Sequence, residues 1–339
     1  MTMMPTPRIL LLLTPLLSVI VAADPVAAPD AGGPVPASDV NAGLDAGADP
    51  VAAPNAGVSA PASGFQAGLA IGYRRVDLSW QTAASTSGSA PVAPFTAEWR
   101  HVELVESALS LSYGNGPLRL RGEFTYGTAF SGTSRLSGYA DDSRQQETYR
   151  SQSRSDDGER WAGTGAMGCM LTGAWDMRFT PEVGYTWSRQ RFALTDGEQI
   201  IPATGPYPGL DSSYQATWQG PFLGLDVALP LGAQWQLQAH AAYRWADYGG
   251  KADWNLRSDL THPDSLVQSA HGDGTAVGLG VAYHPSTHLW WQLDGELEHW
   301  QARSGISRTS YLSGAQDETA LVSVRSASYA VQAGLRWEF

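Results

Sequence analysis

Downstream of Gly64, apolar and polar residues alternate with a period of two over most of the chain. At 328–339, Tyr329, Val331, Ala333, Leu335, Trp337 and Phe339 fall on one side, and Ser328, Ala330, Gln332, Gly334, Arg336 and Glu338 on the other. Successive side chains of a strand point to opposite faces, so the segment reads as a β-strand with one greasy face. The same reading holds where Phe179, Val183, Tyr185 and Trp187 oppose Arg178, Thr180, Glu182 and Thr186. It holds again where Trp235, Leu237, Ala239, Ala241, Tyr243 and Trp245 oppose Gln234, Gln236, Gln238, His240 and Arg244.

The alternation predicts ten strands, at 64–80, 95–113, 117–131, 160–176, 178–193, 214–230, 234–254, 266–284, 287–303 and 324–339. Their connections alternate in length. Short turns fall at Gly114-Asn115-Gly116, around Trp175 to Arg178, at Leu231-Gly232-Ala233 and at Pro285-Ser286-Thr287, and long polar loops at 81–94, 131–159, 194–213, 254–265 and 304–323. An even strand number with short turns on one rim and long loops on the other predicts an all-β fold. It is the pattern of a closed antiparallel up-and-down transmembrane β-barrel, whose closure leaves no unpaired edge. The apolar face then meets lipid and the polar face lines the lumen. Tyr73, Trp80, Trp99, Tyr113, Tyr126, Trp175, Trp187, Tyr243, Tyr283, Trp291 and Trp337 are expected as girdle or upper-strand aromatics. The rival is a soluble lipocalin-like or sandwich β-protein with its apolar face inward.

Composition narrows the class. Of 339 residues, 43% are hydrophobic and 16% charged, below the roughly 25% charged of soluble domains. The net charge is −12 and Lys251 is the only lysine, which excludes a nucleic-acid partner built on clustered basic residues. Cys169 is alone, so no intrachain disulfide forms. Residues 1–23 combine Arg8, an apolar run from Ile9 to Val21 and the small-residue step Val21-Ala22-Ala23. They read as a signal peptide, too short to span a bilayer. Residues 24–63 are almost entirely Ala, Pro, Asp, Gly and Val, with ADPVAAPDAG returning as ADPVAAPNAG. They read as a disordered periplasmic segment, and 64–339 as the barrel.

FTAEWRHVELVESALSLSYGNGPLRLRGEFTYGTA (95–129), EVGYTWSRQRFAL (182–194) and YQATWQGPFLGLDVAL (214–229) resemble strands two and three, five, and six of the omptins, the outer-membrane surface protease superfamily. The terminal aromatic Phe339 resembles the signal read by the outer-membrane assembly machinery. The resemblance implies a ten-stranded barrel rising above the membrane with an acidic groove at its outer end. There an Asp-His couple and an Asp-x-Asp pair hold a water that attacks peptides at basic residues. An imidazole oriented by a carboxylate can act as general base, and acidic walls steer cationic substrates.

Carried onto this chain, Asp141 stands where the first aspartate of the pair falls, Asp142 follows it directly, and Ser143 takes the second place. On the opposite wall an ungapped reading reaches Asn255 and Arg257, and a gapped one Asp259 and His262. The candidate catalytic residues are therefore Asp141, Asp142, Asp259 and His262, in spacings that depart from Asp-x-Asp and Asp-x-His. Arg119, Arg121, Glu123, Arg178, Glu182, Asp226, Arg244, Asp294, Glu296, Glu298 and Arg336 are expected to pair and fill the lumen. No cofactor or metal site is expected. The expected setting is the outer membrane of a Gram-negative cell, as a monomer among lipid and lipopolysaccharide, with extracellular polypeptides as possible partners. The expected function is that of a surface-groove barrel, a divergent endopeptidase or an adhesin, with a porin or a structural barrel as the alternative.

Overall fold

The computed structural model describes residues 63–84 and 93–339. The expected signal peptide, the Ala/Pro/Asp-rich segment up to residue 62, and residues 85–92 of the first long loop lie outside the described residues.

The described chain is almost wholly strand. In order these are β1 (Ser63–Thr82), β2 (Phe95–Asn115), β3 (Leu118–Tyr139), β4 (Glu147–Arg154), β5 (Gly158–Cys169), β6 (Leu171–Thr172), β7 (Arg178–Ile201), β8 (Gly205–Pro206), β9 (Asp211–Leu231), β10 (Trp235–Asp253), β11 (Leu266–Ser286), β12 (Leu289–Ser310) and β13 (Gln316–Glu338). β4 and β5 run end to end between β3 and β7 and form one stave. The ring is thus ten staves, all pairs antiparallel, and β13 pairs with β1 from Gln66↔Glu338 to Thr82↔Leu321. That closure satisfies every stave on both sides, a requirement for backbone placed in hydrocarbon. The turn joining β2 to β3 is tight because Gly116 takes φ +56, which only a residue without Cβ adopts freely.

Several staves run further than their alternation suggests. β3 continues to Tyr139, β7 to Ile201 and β12 to Ser310, through stretches expected as loops. In SGTSRLSG (131–138) both faces carry small polar residues, so the period-two signal fades while the backbone ladder persists. The staves reach 20 residues in β1 and 24 in β7. A bilayer needs only about 9–11 tilted residues, so roughly half of each stave stands clear of it.

The two halves bury opposite things. Near the short-turn rim Leu69, Ile71, Leu109, Leu111, Val183, Leu225, Leu279 and Leu293 point outward and exposed, a band suited to hydrocarbon. Past Tyr73 in β1 the phase inverts: Val76, Leu78 and Trp80 point inward and are buried. β9 does the same, with Leu223 and Leu225 outside but Tyr214, Ala216 and Trp218 inside. The single inside-out assignment expected for the whole barrel therefore holds only in its lower half. Trp80 and Trp99, expected as girdle or upper-strand aromatics, lie in the upper half, are 3% and 0% exposed and belong to the core. The reason is the solvent: apolar faces turn to lipid where there is lipid, and away from water where there is water. An indole buries about 150–250 Å², so at about 25 cal/mol per Å² each of these tryptophans contributes roughly 4–6 kcal/mol before ordering costs.

Candidate functional site

The barrel interior has two layers. In the upper half aromatic rings fill it in an unbroken series. Tyr149 stacks on Phe95 at 6.2 Å, Phe95 meets Trp80 at 5.8 Å, and Trp80 meets Tyr214 at 6.0 Å. Trp99 stacks on Tyr214 at 4.7 Å and meets Phe192 at 5.4 Å. Tyr214 is hydrogen-bonded to Tyr248, and both hydroxyls donate to Gln268 Oε1 at 2.7 and 3.3 Å. Trp218 packs on Tyr248 at 4.6 Å and on Trp300 at 5.6 Å.

Below that plug the lumen is charged. Arg74 donates to Glu106 (2.9 Å), Glu298 (3.0 Å) and Glu296 (2.8 Å). Arg160 donates to Glu106 at 3.1 Å and Glu298 at 3.4 Å, and Arg244 to Glu298 at 2.5 Å. Alternating signs at these distances neutralise one another, which is the condition for burying charge in a narrow barrel. The luminal set expected from the sequence lines this cavity of about 470 Å³.

A second group lies nearby. Arg121 donates to Glu182 at 2.5 Å, and His240 Nδ1 lies 2.6 Å from Asp226 Oδ1. Glu182, Asp226 and His240 bring ligand atoms within 4.8 Å of one another, a donor set able to take a divalent cation. The Arg121 guanidinium already occupies Glu182 and lies 3.9 Å from Asp226, so a cation would have to displace it.

The sequence-derived catalytic residues all lie in the loops of the far rim. Asp141 and Asp142 sit between β3 and β4. Asp141 Oδ1 accepts from Ser143 N at 2.9 Å and Ser143 Oγ at 2.5 Å, and Asp142 Oδ1 accepts from Ala84 N at 2.8 Å. Arg144 anchors the same loop on Thr82 O at 2.7 Å and Thr96 Oγ1 at 3.0 Å. Both carboxylates thus hold loop backbone in place.

Asp259 and His262 sit between β10 and β11. Asp259 takes two hydrogen bonds from Arg257, at 2.8 and 2.7 Å, which hold its carboxyl down at about 2. His262 pairs instead with Asp253, at the end of β10, with Nδ1 to Oδ1 at 2.5 Å. That carboxylate raises the imidazole above its usual 6.5. The loop is fixed around the couple: Leu260 is buried, Thr261 N donates to Ser310 O at 3.0 Å, and Ser265 N donates to Ala252 O at 2.9 Å. Asp253 escaped the sequence reading because it precedes His262 by nine residues, and only the return of the chain from β10 into β11 brings them together. The signal available was a carboxylate at a strand end facing a histidine in the following loop.

The two loops lie on opposing sides of the rim. β4/β5, β7, β9 and β10 separate them on the shorter path, six staves on the longer. The Asp-His couple and the two aspartates thus stand on one rim, four staves apart along the shorter path. Beside the β3–β4 loop, at the start of β4, Glu147 is held down at about 2 by Arg150, aided by Ser137 and Arg135.

The architecture is similar to the outer membrane protease OmpT of Escherichia coli, with a TM-score of 0.67 and 13% identity over 83% of this chain and 99% of that one. At that identity the likeness is one of fold. The outer membrane protein OprG of Pseudomonas aeruginosa aligns at TM-score 0.32 with 9% identity, covering 82% of this chain and 97% of that chain. The Pseudomonas putida toluene transporter TodX aligns at TM-score 0.30 with 10% identity, covering 81% and 89%. No curated protein matches the sequence. Residues 68–339 match the family model described as Pom, Protochlamydia outer membrane protein. An omptin-like ten-stave barrel with a lipid-suited band on its lower half, matched from residue 68 to 339, is a bacterial outer-membrane protein and belongs to the Protochlamydia outer membrane protein family.

Proposed function

We propose that this protein acts at the cell surface through its outer rim, as a closed barrel that binds extracellular ligands, polypeptides among them, and does not conduct. The observation that carries the reading is the aromatic plug from Tyr149 to Trp300 seated on a neutralised charge layer. A porin needs a continuous aqueous path. Here ions would meet packed rings and then a layer of guanidinium–carboxylate pairs. The staves project well past the membrane band, and Arg144 and Thr261 anchor the described β3–β4 and β10–β11 loops on neighbouring staves, as a binding platform requires. Planar-bilayer recording on the purified protein tests this. No stepwise current is expected, and stable unitary conductance would overturn it.

The Asp253–His262 couple favours a second reading, a divergent endopeptidase. With Nδ1 held by Asp253, His262 Nε2 is left to take a proton from water as that water attacks a scissile carbonyl. Asp141 or Asp142 would help hold that water from the opposite side, though each already serves backbone or hydroxyl donors. Cleavage of a basic peptide by the wild type, lost in His262→Ala and Asp253→Asn, would establish it. No cleavage by the wild type leaves the binding reading.

A further inference from the structure

Below the Arg74–Glu298 layer the cavity continues toward the short-turn rim, the periplasmic end of such barrels. Three guanidiniums line it there: Arg119 on β3, Arg178 on β7 and Arg336 on β13. The other luminal arginines, Arg74, Arg121, Arg160 and Arg244, each have a carboxylate partner. Among the described residues none lies within 4.0 Å of these three.

Their partners are neutral instead. Arg119 donates to Gly116 O at 2.7 Å, Leu118 O at 2.8 Å and Met170 Sδ at 3.1 Å. Arg178 donates to Gln236 Oε1 at 2.7 Å. Arg336 lies 4.9 Å from the Trp290 ring centroid, and its Nε is buried without a partner. Arg178 feels the repulsion of Arg119, and Arg336 that of Arg178. Glu338, Asp176 and Asp294 act on this group only at longer range, and Glu338 is engaged by Gln66 Nε2 at 2.8 Å.

Three like charges in a half-enclosed, low-dielectric space repel one another strongly. An anion relieves the repulsion and fills the vacant donors, and the planar guanidinium fork fits a carboxylate. Gln236 and the indole of Trp290 complete the wall. The upper plug makes the space blind, so a ligand enters and leaves from the short-turn side.

We propose that this vestibule is a carboxylate-binding site facing the periplasm. Its ligand is a small free carboxylate of that compartment, matched by the fork of the guanidinium.

The test is isothermal titration of the detergent-solubilised full chain with succinate. It is done for the wild type, for Arg178→Gln, for Arg178→Gln/Arg336→Gln, and for the outer-rim control Arg308→Gln. Unheated gel mobility confirms that each barrel is folded. Saturable binding is expected, weakened about tenfold by the single and further by the double variant, as for lost charge-assisted hydrogen bonds, and unchanged by Arg308→Gln. Absence of saturable binding in the wild type, or undiminished binding in the double variant, overturns the proposal.

Discussion

Arg244 joins the two layers of the barrel interior: its guanidinium lies 4.9 Å from the centroid of the Trp300 ring and donates to Glu298 Oε1 at 2.5 Å. One face of the fork meets the aromatic plug and its edge meets the charge layer. The buried cation thereby gains a ring on one side and a carboxylate on the other, each of which offsets lost hydration.

Glu298 receives Arg74, Arg160 and Arg244. Glu298→Gln leaves those guanidiniums with one charge too few among them. Removing one partner of a buried ionic network costs about 3–5 kcal/mol. The thermal midpoint in detergent, followed by circular dichroism, should fall clearly. An unchanged midpoint would mean that the layer fills space without stabilising the barrel.

Trp99 is fully buried between Tyr214 and Phe192. Trp99→Ala removes the centre of the plug and is expected to cost about 3–5 kcal/mol. Trp175 in the short turn after β6 is 83% exposed, and Trp175→Ala should leave denaturant midpoints nearly unmoved. Equal losses in the two variants would contradict the interior placement of the upper aromatics.

Leu225 and Thr217 share a strand and a face, but Leu225 lies in the lipid band and Thr217 above it. Leu225→Arg should destabilise by about 2–4 kcal/mol if it lies near the bilayer midplane. Thr217→Arg should stay within about 0.5 kcal/mol. Folding yield into lipid vesicles measures both, and reversed sensitivity would place the membrane at the wrong height.

His262 gains its partner on folding, so its pKa rises above the ordinary 6.5. The stabilisation is fully present below about pH 6.5 and is lost as pH rises through the folded value. Histidine-selective NMR titration should show an elevated value for His262 that returns toward 6.5 in Asp253→Asn. Identical titration curves in the two proteins would mean that the couple does not form in solution.

Glu147 has the opposite sign. Arg150 holds its carboxyl near 2 rather than the ordinary 4.5. Its contribution is present above about 4.5 and disappears as pH falls toward 2. Arg150→Gln should therefore narrow the protein's acid tolerance, seen as loss of the folded signal at higher pH than in the wild type. No shift of the acid transition would count against this pair.

Much of the fold is written in local periodicity. Ten staves, the alternation of short turns and long loops, and the inward placement of Arg121, Glu182, Arg244 and Glu298 follow from which residues share a face, whereas Arg74, Glu106 and Arg160, which complete the charge layer, stand outside the set expected from the sequence. Even the phase inversion of β1, from Leu69-Ile71-Tyr73 to Val76-Leu78-Trp80, is present in the chain. Period two assigns residues to faces without saying what lies beyond each face, and so the sequence alone left open which rows meet lipid and which form a dry core.

Only the closed tertiary structure decided the partners. Arg74 reaches Glu298 across 224 positions and Glu296 across 222 because β13 pairs with β1 in a fixed register and lays β12 beyond it. Asp253 rather than Asp259 reaches His262 because the loop returns over the end of β10, while Arg257 takes Asp259. Strand sequence sets the side on which a residue points. Register and closure set what it meets there, since those contacts depend on backbone pairing between segments that carry no mutual signal along the chain.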